Sequence, residues 1–412
     1  MNLRPYQQDA LNAIKADIDV SGASLVVMPT GSGKSHIIAE TALLKSPVLI
    51  LQPSQELLIQ NRGKLTAIIG SERIGTYSAS CGEKVIKEFT FATIQSVYKK
   101  PEEFSHFKLV IIDEAHQLAP RNLSTMYTSF IKAIGSPKVI GLTATPYRLE
   151  VAYMRHNDGT LEAVTMLKLI NRMRHKNAKE IFWKKIIYQI SHQELLAGGY
   201  LVPLEYIHNP LLPYSEIPIN KSHSDYNLEA YSQAVVGREA NIINTIGEAQ
   251  KRFKSILVFC ATTEQADHLS TVIVGSKTVF GSTNKKEREQ TIKDFKSGAV
   301  KTVFNMGCLT TGFDHPSLDC IILLRPTRSL PLYNQMLGRL TRPAPDKQKG
   351  TVIDLTGTCK AIGAIESFEL YQSDRGLWDL KTERHPSWNN RTLFTRIVWE
   401  SLVTMEPSVS II

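Results

Sequence analysis

The chain has 412 residues and a formal net charge of +9 at pH 7, with 42% hydrophobic and 21% charged residues. This balance is typical of globular proteins, and the length suffices for two or three domains. No apolar run approaches the roughly 20 residues of a membrane-spanning helix, and the N-terminus lacks a signal-peptide layout. The five cysteines include no Cys-x-x-Cys pair, which argues against a structural zinc module or a disulfide framework.

The first segment of interest, residues 4–7 (Arg-Pro-Tyr-Gln), precedes a helix predicted over 9–18. A glutamine side chain offers a donor and an acceptor together, which matches the edge of adenine. Gln7 is therefore a candidate adenine-binding residue, with Arg4 or Tyr6 packing nearby. A polar helix start without a ligand is an equally good interpretation of this segment alone.

A phosphate-binding loop is predicted at residues 28–35, Met-Pro-Thr-Gly-Ser-Gly-Lys-Ser, between an apolar strand and a helix. Glycine lets the backbone curl so that its N–H groups face an anion, and the helix N-terminus adds partial positive charge. Lysine in this motif reaches the β- and γ-phosphates, and the following hydroxyl binds Mg²⁺. Methionine replaces the usual first glycine. The predicted binding residues are Thr30, Gly31, Ser32, Gly33, Lys34 and Ser35.

A pair of functional carboxylates is predicted where the continuous apolar run 109–112 ends in Asp-Glu-Ala-His. In a doubly wound sheet, carboxylates at this strand end lie beside the phosphate loop. Asp113 would hold Mg²⁺, and Glu114 would orient and deprotonate the attacking water. The alternative is an N-cap followed by a solvated turn. The next predicted strand ends in Thr-Ala-Thr at 143–145, whose hydroxyls would sense the γ-phosphate or simply form a turn.

The order of these motifs resembles the DEAH-box helicases of superfamily 2, and residues 4–7 resemble their adenine-binding motif. Residues 141–149 (Gly-Leu-Thr-Ala-Thr-Pro-Tyr-Arg-Leu) are similar to the RadD-like bacterial DNA-repair helicases and, more distantly, to restriction-enzyme motor subunits. The resemblance covers about residues 1–357. It does not extend to the cysteine-rich zinc region of the RadD-like proteins. It implies an α/β fold of two RecA-like domains with mostly parallel sheets and an ATP cleft between them.

The domain organisation expected on this basis has two α/β domains joined by a linker. Apolar residues recur at threes within 151–185 among many basic residues, which predicts a helical basic insertion in the first domain or a solvated basic face. Three prolines within 208–221 indicate a linker. The expected ranges are 1–205 for the first domain, 206–240 for the linker, 241–357 for the second domain and 358–412 for a short C-terminal extension.

The second domain carries a predicted arginine pair. Arg339 and Arg342 are three residues apart and share one helix face, where two guanidinium groups would stabilise charge developing on the γ-phosphate. Gln335 lies on the same side, and a solvated surface helix is the alternative. The family resemblance implies that the preceding Thr-Thr-Gly-Phe-Asp contributes Gly312 and Asp314 to the nucleotide site, with Asp314 contacting the ribose.

The resemblance also implies an ATP- and Mg²⁺-dependent motor that acts on DNA with little sequence specificity, in repair, recombination or replication. RNA is the alternative partner, and a clamp or annealing ATPase that does not unwind is an alternative activity. We expect a monomer without structural zinc, in the cytoplasm of a bacterial or phage-infected cell. Residues expected to contact the nucleic-acid backbone are Pro53, Ser54, Thr93, Gln95, Thr262, Thr310 and Thr311.

Overall fold

The computed structural model describes residues 3–118, 126–155, 161–170, 182–213, 216–221, 225–307, 309, 313–372 and 378–381. The chain divides into two compact units. The first comprises Met1–Arg148 and Lys168–Ser191, and the second comprises Leu149–Leu167 and His192–Ile412. None of the helices within the described ranges has the length and apolar character needed to cross a membrane.

Strands and helices alternate through the first half of the chain. The strands up to residue 189 are β1 (Ala23–Val27), β2 (Val48–Gln52), β3 (Ile74–Ser78), β4 (Glu83–Lys84), β5 (Phe89–Thr93), β6 (Leu109–Asp113), β7 (Lys138–Thr143), β8 (Tyr147–Arg155), β9 (Leu161–Leu169) and β10 (Trp183–Gln189). The helices are α1 (Pro5–Asp17), α2 (Lys34–Ala42), α3 (Gln55–Ile69), α4 (Ile94–Val97) and α5 (Met126–Ala133).

The main sheet of the first unit has the strand order β10-β1-β7-β6-β2-β5-β3-β4. Neighbouring strands pair in parallel, apart from the antiparallel pair of β3 with β4. Every residue of β1, β2 and β6 is buried, as expected of strands covered on both faces. Since parallel strands end at the same edge, the loops after β1, β2, β6 and β7 meet there, and this edge carries the predicted site.

The second unit is built in the same way. Its strands are β11 (Leu204–His208), β12 (Ile256–Cys260), β13 (Ser276–Val279), β14 (Thr302–Asn305), β15 (Cys320–Leu324), β16 (Gly350–Asp354), β17 (Glu369–Gln372) and β18 (Trp378–Lys381). Its helices are α6 (His192–Ala197), α7 (Leu228–Ala234), α8 (Glu239–Arg252), α9 (Thr263–Val272), α10 (Lys285–Ser297), α11 (Leu330–Leu337) and α12 (Thr358–Ile362).

The sheet of the second unit runs β11-β16-β15-β12-β14-β13 and is parallel at every described pairing. Helix α8 packs on it through Ile242 and Ile246, which are buried with Val258 and Ile322 in one apolar cluster. Two parallel sheets with crossover helices confirm the α/β architecture that the sequence predicts. The antiparallel pair β17 with β18 lies within the predicted C-terminal extension.

The predicted helical insertion at 151–185 is wrong wherever the structure describes it. Strands β8 and β9 form a two-stranded sheet, and β10 is the edge strand of the main sheet. Over the first part of β8, residues 147–151, apolar and charged residues alternate, which is the period of a strand. Val164 and Thr165 of β9 are β-branched, and pairing with β8 outweighs the threefold spacing. The rest of the prediction, 156–160 and 171–181, lies outside the described residues.

The predicted domain boundaries also differ from the observed units. Residues 149–167 and 192–205 group with the second unit, although the sequence assigns them to the first domain. Strand β11 overlaps the predicted linker at 206–240 but pairs in parallel with β16 along its whole length. Helix α7 and the start of α8 also lie in this range. The prolines therefore interrupt structured chain in the second unit, since they follow β11 and precede α7.

Candidate nucleotide site

The loop between β1 and α2 has a curled backbone. Gly31 and Gly33 have φ angles of 90° and 86°, a region that favours glycine. Gly33 directly precedes α2, whose first residue is Lys34. The Lys34 ammonium donates to the carbonyl oxygens of Met28 (3.2 Å) and Pro29 (3.3 Å). The lysine thus lies over its own loop, and Thr30 and Ser35 are half-buried beside it.

The start of α1 supports this loop. The hydroxyl of Tyr6 and the Nε2 of Gln7 both donate to the carbonyl oxygen of Ser32, at 2.7 and 3.0 Å. Gln7 Oε1 accepts from the Arg4 backbone N–H at 3.0 Å, and Ser32 Oγ donates to Pro29 O at 2.7 Å. Both ends of the Gln7 amide, predicted to bind adenine, are therefore engaged within the protein. The structure places Gln7 as a bridge between α1 and the phosphate loop.

Asp113 ends β6 and is 4% exposed. Its Oδ2 accepts from Asn61 Nδ2 at 2.8 Å, and its Oδ1 accepts from the Glu114 backbone N–H at 2.9 Å. Burial, followed by the charge of Glu114, raises the pKa of Asp113 to about 7, against the lowering effect of the Lys34 ammonium. A site that is this short of positive charge favours a bound cation.

Glu114 lies in the left-handed region, with φ 48° and ψ 50°, which costs a residue other than glycine about 1 kcal/mol. Its Oε2 is buried without a hydrogen bond and lies 3.4 Å from His116 Nδ1. A buried acceptor beside Asp113 supplies the oxygen-rich surroundings that suit Mg²⁺ better than a softer metal. The hydroxyl of Ser35 and the carboxylate of Asp113 are therefore donors that fit this ion, with Glu114 beside them.

The Thr-Ala-Thr segment is tied to the carboxylates through His116. His116 Nδ1 and Thr143 Oγ1 are hydrogen-bonded at 3.0 Å, and Thr143 Oγ1 accepts from the Thr145 backbone N–H at 3.0 Å. All three side chains are buried. A side-chain hydrogen bond thus joins the segment after β6 to the end of β7.

In the second unit, the predicted arginine pair contacts the segment after residue 312. Arg339 and Arg342 both donate to the carbonyl oxygen of Phe313, and Arg342 also pairs with Asp314 Oδ1 at 2.5 Å. Arg339 is 5% exposed, whereas the side chain of Arg342 is 18% exposed. Gln335 is buried on α11, but Arg339 and Arg342 lie beyond the end of this helix at Leu337, so the predicted shared helix face is wrong. Asp314, predicted to bind ribose, therefore pairs with Arg342, and the predicted Gly312 lies outside the described residues.

The side chains predicted to contact a nucleic-acid backbone have structural roles of their own. Ser54 caps α3 by accepting from Leu57 N at 3.4 Å, and Thr262 caps α9 by accepting from Gln265 N at 3.1 Å. Thr93 is hydrogen-bonded to Ser78 and Ser96. Pro53 is half-buried and Gln95 is exposed, while Thr310 and Thr311 lie outside the described residues.

Asn61 is the residue of this site that the sequence analysis missed. It lies on α3, is 0% exposed and binds Asp113 from 52 positions away in the chain. No local motif marks an asparagine in an amphipathic helix as a partner of a distant carboxylate. The available signal was a polar residue among the apolar positions of α3 that face the sheet.

Two family models match the chain. "Type III restriction enzyme, res subunit" matches residues 1–148, and "Helicase conserved C-terminal domain" matches residues 238–344. The first range holds the phosphate loop, the Asp-Glu-Ala-His segment and Thr143. The second range holds the arginine pair. Each model therefore covers one of the two groups of candidate site residues described above.

Relatives extend the similarity over most of the chain. It is 25% identical over 398 residues to "Putative ATP-dependent helicase IRC3" of Saccharomyces cerevisiae, covering 89% of this chain and 53% of the yeast protein. It is 24% identical to "DNA 3'-5' translocase XPB2" of Sulfurisphaera tokodaii, covering 83% of this chain and 79% of that protein. The chain thus spans about half the length of the yeast relative.

A solved structure shows the same fold. The "fragment structure of a putative HsdR subunit of a type I restriction enzyme" from Vibrio vulnificus YJ016 matches with a TM-score of 0.63 and 21% identity. The match covers 87% of this chain and 64% of that one. The two matched models, with the parallel sheets and the phosphate loop, show that the chain carries the paired domains of superfamily 2 helicases.

Proposed function

We propose that the chain couples ATP hydrolysis to movement along DNA or to its unwinding, with little sequence specificity, in repair, recombination or replication. We place it nearest to the RadD-like branch of DEAH-box proteins, on the strength of Asp-Glu-Ala-His at 113–116 and the segment 141–149. The observation that carries the proposal is that the curled loop with Lys34 at the start of α2 follows β1, and the buried Asp113 ends β6, in the same parallel sheet. This is the arrangement that phosphoryl transfer requires.

The proposed chemistry assigns one task to each side chain of the first unit. Lys34 turns from its loop carbonyls to the β- and γ-phosphates of ATP, while Ser35 and Asp113 hold Mg²⁺. When bound, Mg²⁺ neutralises charge on the phosphate oxygens. Glu114 orients a water molecule and takes its proton, a role that suits a buried acceptor without another hydrogen bond. His116 and Thr143 pass the state of this site to the end of β7.

The proposed role of Arg339 and Arg342 is to stabilise charge on the γ-phosphate during transfer. Arg342 would exchange its pairing with Asp314 for this phosphate, which frees Asp314 for the ribose. These two arginines belong to the second unit, whereas Lys34 belongs to the first.

DNA is the proposed partner for two reasons. The net charge of +9 favours a polyanion, and XPB2, a relative over 83% of the chain, is named as a DNA translocase. The predicted contacts are short hydroxyl and amide groups, which suit phosphates and carry no sequence code. Binding should therefore weaken as salt rises and differ little between sequences. RNA is the rival partner, since contacts to phosphate do not by themselves separate the two.

The experiment is steady-state ATP hydrolysis by the purified chain, alone and with single-stranded DNA, duplex DNA, forked DNA or matched RNA. Stimulation by one DNA form above RNA supports the proposal, and strand displacement is then measured on that substrate. The Lys34→Ala variant should lose hydrolysis, whereas Lys45→Ala should keep it, because Lys45 pairs with the exposed Asp19. Hydrolysis that no nucleic acid stimulates, or that RNA alone stimulates, contradicts the proposal.

A further inference from the structure

The side-chain amide of Asn61 orients the carboxylate of Asp113. It lies in the middle of α3, is 0% exposed and donates from Nδ2 to Asp113 Oδ2 at 2.8 Å. The other carboxylate oxygen accepts from the Glu114 backbone N–H. Two donors from different elements therefore fix the direction of this side chain, and one of them belongs to a helix outside the Asp-Glu-Ala-His segment.

Several buried polar atoms at this edge of the sheet have no hydrogen-bond partner. They include Asn61 Oδ1, both amide atoms of Gln52 and Glu114 Oε2. Gln52 ends β2, one residue beyond Leu51, whose neighbour on β6 is Ile112, just before Asp113. A buried polar atom left unpaired costs about 1–3 kcal/mol, so such atoms are rare away from bound water, ions or ligands. Asn61 therefore uses its Nδ2 on Asp113 and makes no hydrogen bond through its Oδ1.

The segment that joins β2 to α3 contains two of the residues predicted to contact a nucleic-acid backbone. β2 ends at Gln52, Pro53 follows, and Ser54 caps α3. Asn61 is seven residues beyond Ser54, about 10 Å along the axis at 1.5 Å per residue. Because the intervening turns are continuous helix, a displacement of the first turn of α3 also displaces the Asn61 amide.

We propose that Asn61 is a positioning residue that links a nucleic-acid strand at the start of α3 to Mg²⁺-dependent ATP hydrolysis through Asp113. The coupling rests on the proposed function, since it presumes a strand at Pro53 and Ser54. Asn61 touches neither substrate. It acts by holding the Asp113 carboxylate through its side-chain amide.

The test compares Asn61→Leu with Gln60→Leu, the same amide-to-leucine change one residue earlier at a half-buried position of α3. Three quantities are measured: the Mg²⁺ concentration for half-maximal hydrolysis, the ratio of DNA-stimulated to basal hydrolysis, and the gain in affinity for a fluorescent ATP analogue on adding Mg²⁺. In Asn61→Leu we expect the Mg²⁺ concentration for half-maximal hydrolysis to rise about tenfold. The ratio of DNA-stimulated to basal hydrolysis and the Mg²⁺-dependent gain in nucleotide affinity should both fall several-fold. Gln60→Leu should match the wild type.

Circular dichroism first establishes that each variant is folded, and Asn61→Ala replaces Asn61→Leu if the larger side chain is not accommodated. A folded Asn61 variant with wild-type Mg²⁺ dependence and wild-type stimulation overturns the inference. Absence of any stimulation in the wild type overturns the proposed function and, with it, the coupling. The shift in Mg²⁺ dependence is still measurable then, and it decides by itself whether the Asn61 contact positions Asp113.

Discussion

Arg342 shows how a single side chain can be held ready in the second unit. Burial lowers the pKa of Arg342, and Asp314 opposes this effect. The guanidinium is held by one carboxylate and by the Phe313 carbonyl oxygen, which it shares with Arg339. Arg339 is the more buried of the two, whereas Arg342 retains an exposed face. Of the pair, Arg342 is thus better suited to meet a phosphate.

The prediction at this position is that Arg342→Ala lowers kcat for ATP about 100-fold, because charge on the transferring group loses a fixed cation. ATP affinity should change by no more than about threefold, since the loop around Lys34 is untouched. Both are measured, by steady-state hydrolysis and by titration with a fluorescent ATP analogue. Arg252→Ala, an exposed arginine on α8, is the matched control. Loss of nucleotide affinity with kcat maintained would assign Arg342 to ground-state binding.

Single residues also show what sequence reasoning can and cannot find. Lys34 and Asp113 lie within short motifs whose chemistry depends on local spacing, so the sequence alone indicates them as candidates. Asn61 binds Asp113 only because α3 packs on the sheet, and that contact has no local signature. Gln7 was singled out for adenine by its amide, yet the structure engages this amide with Ser32 and Arg4. The sequence pattern does not show which residues far apart in the chain contact each other in the fold.

At the scale of elements, the phosphate loop depends on the close approach of α1. A Cβ added at Gly33 would lie 2.5 Å from Gln7 Nε2, the atom that donates to Ser32 O. The positive φ at this position already disfavours a side chain. Gly63, in the interior of α3, is the opposite case, since an added Cβ would have no neighbour within 4 Å. Gly33 is therefore required by the geometry of the loop, whereas Gly63 only lowers the helix propensity of α3.

We predict opposite effects for the two substitutions to alanine. Gly33→Ala should lower the free energy of unfolding by about 1–2 kcal/mol and weaken ATP binding at least about tenfold, because the loop must shift away from Gln7. Gly63→Ala should raise the free energy of unfolding by up to about 1 kcal/mol and leave ATP binding unchanged. Urea denaturation and nucleotide titration measure both quantities. Equal effects at the two positions would show that the approach of α1 does not shape the loop.

Elements differ in how far their own sequence determines them. Strand β6 contains the continuous apolar run predicted at 109–112, because a parallel strand covered on both faces needs such a run. The segment Leu161–Leu169 fits a helix by its threefold spacing, whereas the β-branched residues Val164 and Thr165 favour a strand. Its pairing with Tyr147–Arg155 decides between the two. When the residues of a short segment suit both a helix and a strand, the element it pairs with determines its secondary structure.

At the scale of the whole molecule, each unit has its own sheet, so the two need not respond alike to pH. In the second unit, His315 is buried, and its Nε2 is hydrogen-bonded to Ser255 Oγ at 2.8 Å. Burial, followed by the charges of Lys296 and Lys347, lowers the pKa of His315 to about 4, and Asp314 only partly opposes this. The folded unit therefore resists protonating this ring, while the unfolded chain accepts a proton near pH 6.5.

Between those two pKa values the unfolded state binds more protons, so acidification favours unfolding. From pH 7.5 to pH 5.0, His315 should cost the second unit about 1–2 kcal/mol of stability, a figure that allows for partial solvent screening. The His315→Gln variant should lose this part of the pH dependence, whereas His268→Gln, which removes an exposed histidine of the same unit, should keep it. Urea denaturation followed by circular dichroism at both pH values measures the difference. If His315→Gln and the wild type lose the same stability on acidification, the acid response arises elsewhere in the molecule.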